Sequence, residues 1–197
     1  MNLKTFIFIG RSGCGKGTQV KLLMKQLKEK QDHEKIFYLQ TGQHFRDFVK
    51  KEGFANEMAE KIMEEGGRQP DFLAVWIWSN AFLENIKNEE HLIIDGTPRS
   101  LNEARILDSA VKFLKREKPD VVYIDVSREW SEERLLSRGR EDDLEIEDIR
   151  KRLDWFEDDV IPAVSFYRDN PDYNFIYVNG EQTIEEVNKE IMDKIFN

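Results

Sequence analysis

The sequence predicts an α/β fold: a three-layer sandwich with helices on both faces of a five-stranded parallel sheet. Short β-rich apolar runs alternate with amphipathic stretches of helical spacing, which is the order of a right-handed βαβ architecture. Most of the runs are nearly continuous in apolar residues, as strands covered on both faces should be. A glycine-rich loop carrying a lysine joins the first run to the first helical stretch.

The elements follow in order. Thr5–Ile9 has the length of a buried strand and stops at Gly10. A helical pattern then shows one apolar face through Val20, Leu23, Met24 and Leu27. Ile36–Leu39 is the second strand. Thr41–Leu83 breaks the alternation, with three helical patterns and no strand, and reads as a helical lobe inserted between the second and third strands. Within it, Gly66-Gly67 followed by Pro70 is a stop and restart signal. Phe72, Val75, Trp76, Trp78 and Phe82 have helical spacing and are expected to pack in the core or at the lobe interface. Leu92–Ile94 is the third strand, Ile106, Leu107, Ala110, Val111 and Leu114 mark a helix face, and Val121–Val126 and Phe175–Val178 complete the sheet. The acidic run Glu141–Asp148 reads as a solvated hinge or helix start.

From Gly10 to Thr18 the chain reads Gly-Arg-Ser-Gly-Cys-Gly-Lys-Gly-Thr. Glycines let successive backbone N–H groups curl around phosphate oxygens, and the following helix N-terminus adds a positive dipole. Lys16 supplies a mobile cation for terminal phosphates. The general pattern G-x-x-x-x-G-K-[ST] is shifted, because Gly17 follows the lysine and the hydroxyl comes one residue later at Thr18. Cys14 reads as a small residue suited to a tight loop.

Composition narrows the function classes. Across 197 residues, 30 Lys+Arg stand against 39 Asp+Glu, a net charge of −9 that argues against a general nucleic-acid clamp. The longest apolar stretches, such as Phe6-Ile7-Phe8-Ile9, fall far short of the roughly 18 residues that span a bilayer. The apolar run after Lys4 ends at Arg11, short of the about 7–15 residues of a secretory signal core, so a cytoplasmic protein with no membrane partner is expected. One cysteine forms no internal disulfide, and His33, His44 and His91 show no metal spacing.

Gly15-Lys16-Gly17-Thr18-Gln19 resembles the phosphate loop of adenylate kinases, nucleoside monophosphate kinases of the P-loop NTPase class. Other segments agree in order. Thr41-Gly42-Gln43-His44-Phe45-Arg46 resembles the family's Thr-Gly-Asp-Leu-Leu-Arg segment, and Asp95-Gly96-Thr97-Pro98-Arg99 resembles Asp-Gly-Phe-Pro-Arg. Glu133–Arg138, then Arg140-Glu141-Asp142-Asp143, then Arg152-Leu153, resemble the arginine-rich lid and the helix behind it, while Pro162, Tyr167 and Asn179-Gly180 fit the C-terminal pattern.

The resemblance implies transfer of the γ-phosphate of Mg-ATP to a nucleoside monophosphate, AMP by default, by a monomer with Mg2+ as cofactor. It implies one kinase domain over 1–197, with an acceptor lobe at 41–70 and a lid at 137–147. Lys16, Arg99, Arg138, Arg140 and Arg152 would be catalytic. Ser12, Gly13, Cys14, Gly15, Lys16, Gly17, Thr18, Arg134, Arg138 and Gly180 would bind ATP. Thr41, Gly42, Arg46, Arg68, Gln69, Gly96, Arg99, Glu103, Arg140 and Arg152 would bind the acceptor. Asp95 would meet magnesium directly or through water, with Thr18 as a further metal contact. Arginines suit such a site because their planar forks hold phosphate oxygens bidentately and stay charged.

Two departures leave alternatives open. Only Gly139 separates Arg138 from Arg140, so the lid is expected to be a minimal hairpin or turn, and a nucleotide-binding regulatory module without turnover stays possible on that ground. Another P-loop kinase, acting on hydroxyl acceptors, is disfavoured by the Arg46 and Arg99 pair. Glu103 stands where the family carries a glutamine that reads adenine. An ionised carboxylate only accepts hydrogen bonds, which suits guanine better and raises GMP as an acceptor. Alternatively, Glu103 pairs with Arg105 on its own helix, away from the base.

Overall fold

The computed structural model describes residues 3–30, 35–138 and 146–196, apart from the side chains of Lys30 and Arg138. Five strands form one parallel sheet: β1 (Thr5–Ile9), β2 (Lys35–Gln40), β3 (Glu90–Asp95), β4 (Asp120–Asp125) and β5 (Asn174–Asn179), in the order β2-β3-β1-β4-β5. The predicted runs all lie within these strands, except that Val126 falls one residue beyond β4. In register, Ile7 lies beside Ile94 and Val121, so the three central strands stack apolar residues across the sheet.

The alternation of side chains along β1 divides the core. Phe6 and Phe8 point to the face covered by α1 (Lys16–Lys30) and α9 (Ile184–Phe196), where they meet Val20, Leu23, Leu27, Val187 and Ile191. Ile7 and Ile9 point to the opposite face, against Trp78, Leu107, Phe156 and Tyr167. Those residues belong to α4 (Asp71–Asn85), α5 (Leu101–Phe113), a π-helix (Phe156–Val160) and α8 (Ile161–Arg168). Ser100 caps α5, its hydroxyl oxygen accepting from the backbone N–H of Glu103.

Between β2 and β3 the chain is helical throughout its regular structure: α2 (Thr41–Val49), α3 (Phe54–Glu64) and α4. Phe45, Ala59, Leu73, Ala74 and Ile77 form a separate small core there. Helix α4 serves both units, since Trp78 and Phe82, further along it, belong to the main core. One expectation fails on this helix. Phe72 is 74% exposed and Trp76 55%, because α4 buries its Leu73–Ala74 and Ile77–Trp78 edge and turns the adjoining stripe outward; Trp76 keeps only an edge contact within the lobe, its ring centre 6.0 Å from that of Phe48. Helix α6 (Arg128–Arg138) packs against α7 (Ile146–Trp155), with Leu135, Ile149 and Leu153 buried between them. The stretch between these helices, which holds most of the expected lid, lies outside the described residues.

Candidate active site

The sheet order sets the position of the site. From β1 the chain crosses to β2 on one side, and from β3 it crosses to β4 on the other, so the crevice beyond the ends of β1 and β3 is a topological switch point. The phosphate loop leaves β1 there, and Asp95-Gly96 leaves β3 beside it.

The loop passes into α1 through Gly15, whose carbonyl accepts from the N–H groups of Thr18 and Gln19 at 3.0 and 3.1 Å. Gly15 holds φ +94° with nothing near its missing side chain, so glycine is demanded by backbone conformation and not by space. Lys16 folds over the loop. Its ammonium donates to the carbonyls of Gly10 at 2.6 Å and Arg11 at 2.9 Å and lies 3.5 Å from the Cys14 sulfur. A phosphate entering the loop would exchange these neutral carbonyl acceptors for an anionic one, adding attraction between opposite charges to each bond.

Asp95 ends β3 buried, with Oδ2 accepting from the Tyr38 hydroxyl at 2.9 Å. Burial, then the neighbouring carboxylate, pushes the Tyr38 phenol up, so it stays a donor and holds that carboxylate in place. Arg99 donates from Nε to the Gly96 carbonyl at 2.7 Å, which holds its guanidinium beside the turn that follows β3. Burial depresses the Arg99 guanidinium. Glu103 and Asp95 oppose the shift, while Arg152 and Arg46 add to it. The electrostatics of mutually repelling guanidinium groups favour an anion between them.

One cavity of about 490 Å³ gathers these groups. Lys16, Lys21, Arg46, Arg99, Arg134 and Arg152 supply its cationic wall, drawn from α1, α2, the loop after β3, α6 and α7. Ser12, Gly13, Gly15, Gly17, Thr18, Gly42, Gln69, Asp95 and Gly96 also line it. Arg46 is held by Gln43, whose Oε1 accepts from Nε and Nη2 at 3.2 and 3.0 Å. Arg134 lies over the Trp130 ring, 4.8 Å from its centre.

A model of the Adenylate kinase family matches residues 8–171. The curated relatives include "Adenylate kinase" of Flavobacterium psychrophilum, 31% identical over 97% of both chains. "Adenylate kinase 1" of Nostoc sp. is 32% identical, covering 94% of this chain and 95% of its own, and "Adenylate kinase" of Leptospira biflexa is 32% identical over 98% and 100%. The chain belongs to the adenylate kinase family. It is a phosphotransferase, a nucleoside monophosphate kinase of the P-loop fold.

Not every residue named from the adenylate kinase resemblance reaches the cavity wall. Cys14 is buried within the loop, Thr41 is buried at the start of α2, and Gly180 packs on Val126 and Ile124. Arg68 is committed to carboxylates, donating to Asp71 Oδ1 at 2.6 Å and Asp159 Oδ2 at 2.9 Å. Burial alone would lower its pKa, but those bonds outweigh it and hold the guanidinium above its usual value. The Arg138 side chain and all of Arg140 lie outside the described residues.

Glu103 is 1% exposed and also off the wall. Its Oε2 accepts from the Thr97 hydroxyl at 2.7 Å, and Oε1 lies 3.7 Å from Arg68 Nη1. These partners replace the Arg105 pairing considered from sequence. Burial raises the carboxyl's pKa, partly offset by the bond from Thr97 and the charges of Arg99 and Arg68.

Sequence reasoning passed over Lys21, Phe45, Met63, Gly66, Ser137 and Trp155, all on the cavity wall. For Trp155 a signal existed: it lies three residues beyond Arg152, which puts both on one face of a helix. Lys21 had none, since a lone lysine on a helix reads as solvated surface.

Proposed function

We propose that the chain transfers the γ-phosphate of ATP reversibly to AMP, giving two ADP. The observation that carries this reading is the convergence of six cationic side chains from distant segments on one cavity, in a chain of net charge −9. An acidic body with one basic hollow favours polyanionic ligands at that place. In the transfer, an oxygen of the AMP phosphate forms a bond to the γ-phosphorus as the bond from that phosphorus to the β–γ bridging oxygen breaks. The bonding electrons leave with ADP, and no general base is required because the attacking oxygen is already anionic.

In this reading the phosphate loop and Lys16 hold the ATP phosphates, Arg46 and Arg99 anchor the acceptor phosphate, and Arg152 and Arg134 face the same space from α7 and α6. Arg138 and Arg140 would close on the transferring group. The acceptor lobe at 41–70 would carry Arg46 and Gln69 toward Arg99, and the lid at 137–147 would exclude water.

Magnesium fits the donors present. Mg2+ is held through one or two carboxylates together with substrate phosphates, and Asp95 is a buried carboxylate oriented by Tyr38 at the cavity floor beside Gly17. Asp95 would hold the ion, directly or through water, with Thr18 as a further contact. When bound, the ion would neutralise charge on the β- and γ-phosphates.

AMP stays the default acceptor because Glu103 does not line the cavity, which removes the ground for GMP; its Oε2 accepts from Thr97, while Oε1 lies 3.7 Å from Arg68 without a hydrogen bond. The acceptor test is a panel of AMP, GMP, CMP, UMP and their deoxy forms with Mg-ATP. Diphosphate should form fastest from AMP, and Lys16→Met or Arg99→Ala should abolish it. No diphosphate from any acceptor defeats the proposal.

A further inference from the structure

We infer that Trp155 is a positioning residue that docks the acceptor lobe onto α7 and sets the orientation of Arg99. The inference rests on the kinase reading for what the lobe and Arg99 bind, and on geometry for the rest. The indole N–H donates to the Gly66 carbonyl at 3.1 Å, joining the last residue of α7 to the α3–α4 turn of the lobe. The face of the same ring lies 5.6 Å from the Arg99 guanidinium carbon, within the range of a cation–π contact. One rigid side chain therefore touches both the lobe and the core arginine, and it does so while lining the cavity.

The neighbouring contacts are built for close docking. A Cβ on Gly66 would stand 2.6 Å from the carbonyl oxygen of Asp148, so the lobe meets α7 backbone to backbone. Lys151 donates to the Glu65 carbonyl at 3.2 Å on one side, and Arg68 reaches Asp159 at 2.9 Å on the other. Trp155 sits between these clasps.

Trp155 opens the π-helix Phe156–Val160, and that helix points the following residues at the phosphate loop. The Arg11 guanidinium carbon lies 4.8 Å from the Phe156 ring centre, and Glu157 accepts from Arg11 at 3.1 Å. A second cavity of about 40 Å³ is walled by Trp155 and Phe156 on one side and by Gly10, Ser12 and Lys16 on the other. π-Helical turns inside helices are frequently placed at functional sites. Here the turn brings consecutive side chains to the lobe, to Arg99 and to the phosphate loop, while Phe156 and Val160 anchor it in the core. The Gly96 carbonyl holds Nε of Arg99, and Trp155 offers the one aromatic ring on which its guanidinium lies among the described residues.

The experiment compares Trp155→Phe and Trp155→Leu with the parent protein. Phenylalanine keeps a ring for Arg99 and removes the N–H to Gly66, whereas leucine removes both. Dissociation constants for AMP and for ATP are measured separately by calorimetric titration, alongside kcat and the KM for AMP. Trp155→Phe should weaken AMP about threefold to tenfold with kcat nearly kept, the loss expected of one hydrogen bond. Trp155→Leu should weaken AMP further and lower kcat about tenfold or more, with ATP affinity within twofold of the parent in both variants. Equal AMP affinity in all three proteins, or parallel losses in ATP and AMP affinity, would overturn the inference in favour of a merely structural tryptophan. If the parent forms no diphosphate, the kinase reading falls while the AMP dissociation constants still decide the role of Trp155.

Discussion

Gly66→Ala isolates the docking of the lobe from the chemistry of the arginines. Gly66 holds φ +68°, a left-handed conformation that costs an L-residue roughly 1–2 kcal/mol. The new methyl would also stand 2.6 Å from the Asp148 carbonyl oxygen and 2.8 Å from its Cα, both backbone atoms that have no rotamer to escape into. Relief requires the α3–α4 turn to lift from α7, which stretches the Trp155 and Lys151 hydrogen bonds to Gly66 and Glu65. Losing one of them costs about 0.5–1.5 kcal/mol. The total is about 1.5–3.5 kcal/mol, or roughly 10- to 400-fold in the equilibrium between docked and undocked lobe. The cavity needs Arg46 and Gln69 from the lobe beside Arg99 and Arg152 from the core. The KM for AMP should therefore rise by up to that factor, while ATP affinity, set by the loop between β1 and α1, stays within twofold. A calorimetric titration with each nucleotide and steady-state kinetics with AMP supply the numbers. An alanine variant with the parent's AMP affinity would refute the claim that the acceptor site is completed by docking on α7.

Other outcomes follow from the same coordinates. Arg116 is buried and donates to the Glu90 carboxylate at 3.1 Å and the Glu90 carbonyl at 2.7 Å, so Arg116→Met should leave a buried charge and cost about 3–5 kcal/mol in urea unfolding. Glu103→Gln should raise the thermal midpoint at neutral pH, because the parent buries a carboxyl whose folded pKa is above its unfolded one. The contribution of that protonated carboxyl is fully present below the unfolded pKa and lost as pH rises through the folded pKa, so the advantage of the glutamine variant should shrink on acidification toward pH 4.5; an advantage that does not depend on pH would contradict this. Asp71 has the opposite sign. Burial would raise its pKa, yet bonds from Arg68, Ser100 and Asn102 hold it below its model-peptide range, so Asp71→Asn should be most damaging above pH 4 and lose its effect as the parent is acidified through the depressed pKa. Arg99→Lys should keep the charge and lose both the fork and the broad contact with Trp155, leaving less than a tenth of the parent kcat/KM for AMP.

The extent to which the site was legible depended on how local each signal is. The Gly10–Thr18 loop and its shifted Gly17-Thr18 could be read from neighbouring residues, because a phosphate cradle is built from consecutive backbone N–H groups. The strands were legible for the same reason, since a parallel strand covered on both faces must be apolar at nearly every position. Helix α4 shows where this stops. Its apolar residues run around most of the circumference, and periodicity could not tell that Trp78 enters the core while Trp76 faces outward.

By itself the sequence determined the α/β alternation, the phosphate loop and the arginine inventory, because each is written in residue type and short-range spacing. The tertiary structure alone decided which cations share a hollow, that Glu103 turns to Thr97 and Arg68, and that Trp155 bridges Gly66 and Arg99. Apart from Glu103 and Thr97, which are six positions apart, those contacts join residues tens of positions apart. A hydrogen bond or ion pair of a few ångströms is set by how the helices cross the sheet, and no local pattern in the chain encodes that distance.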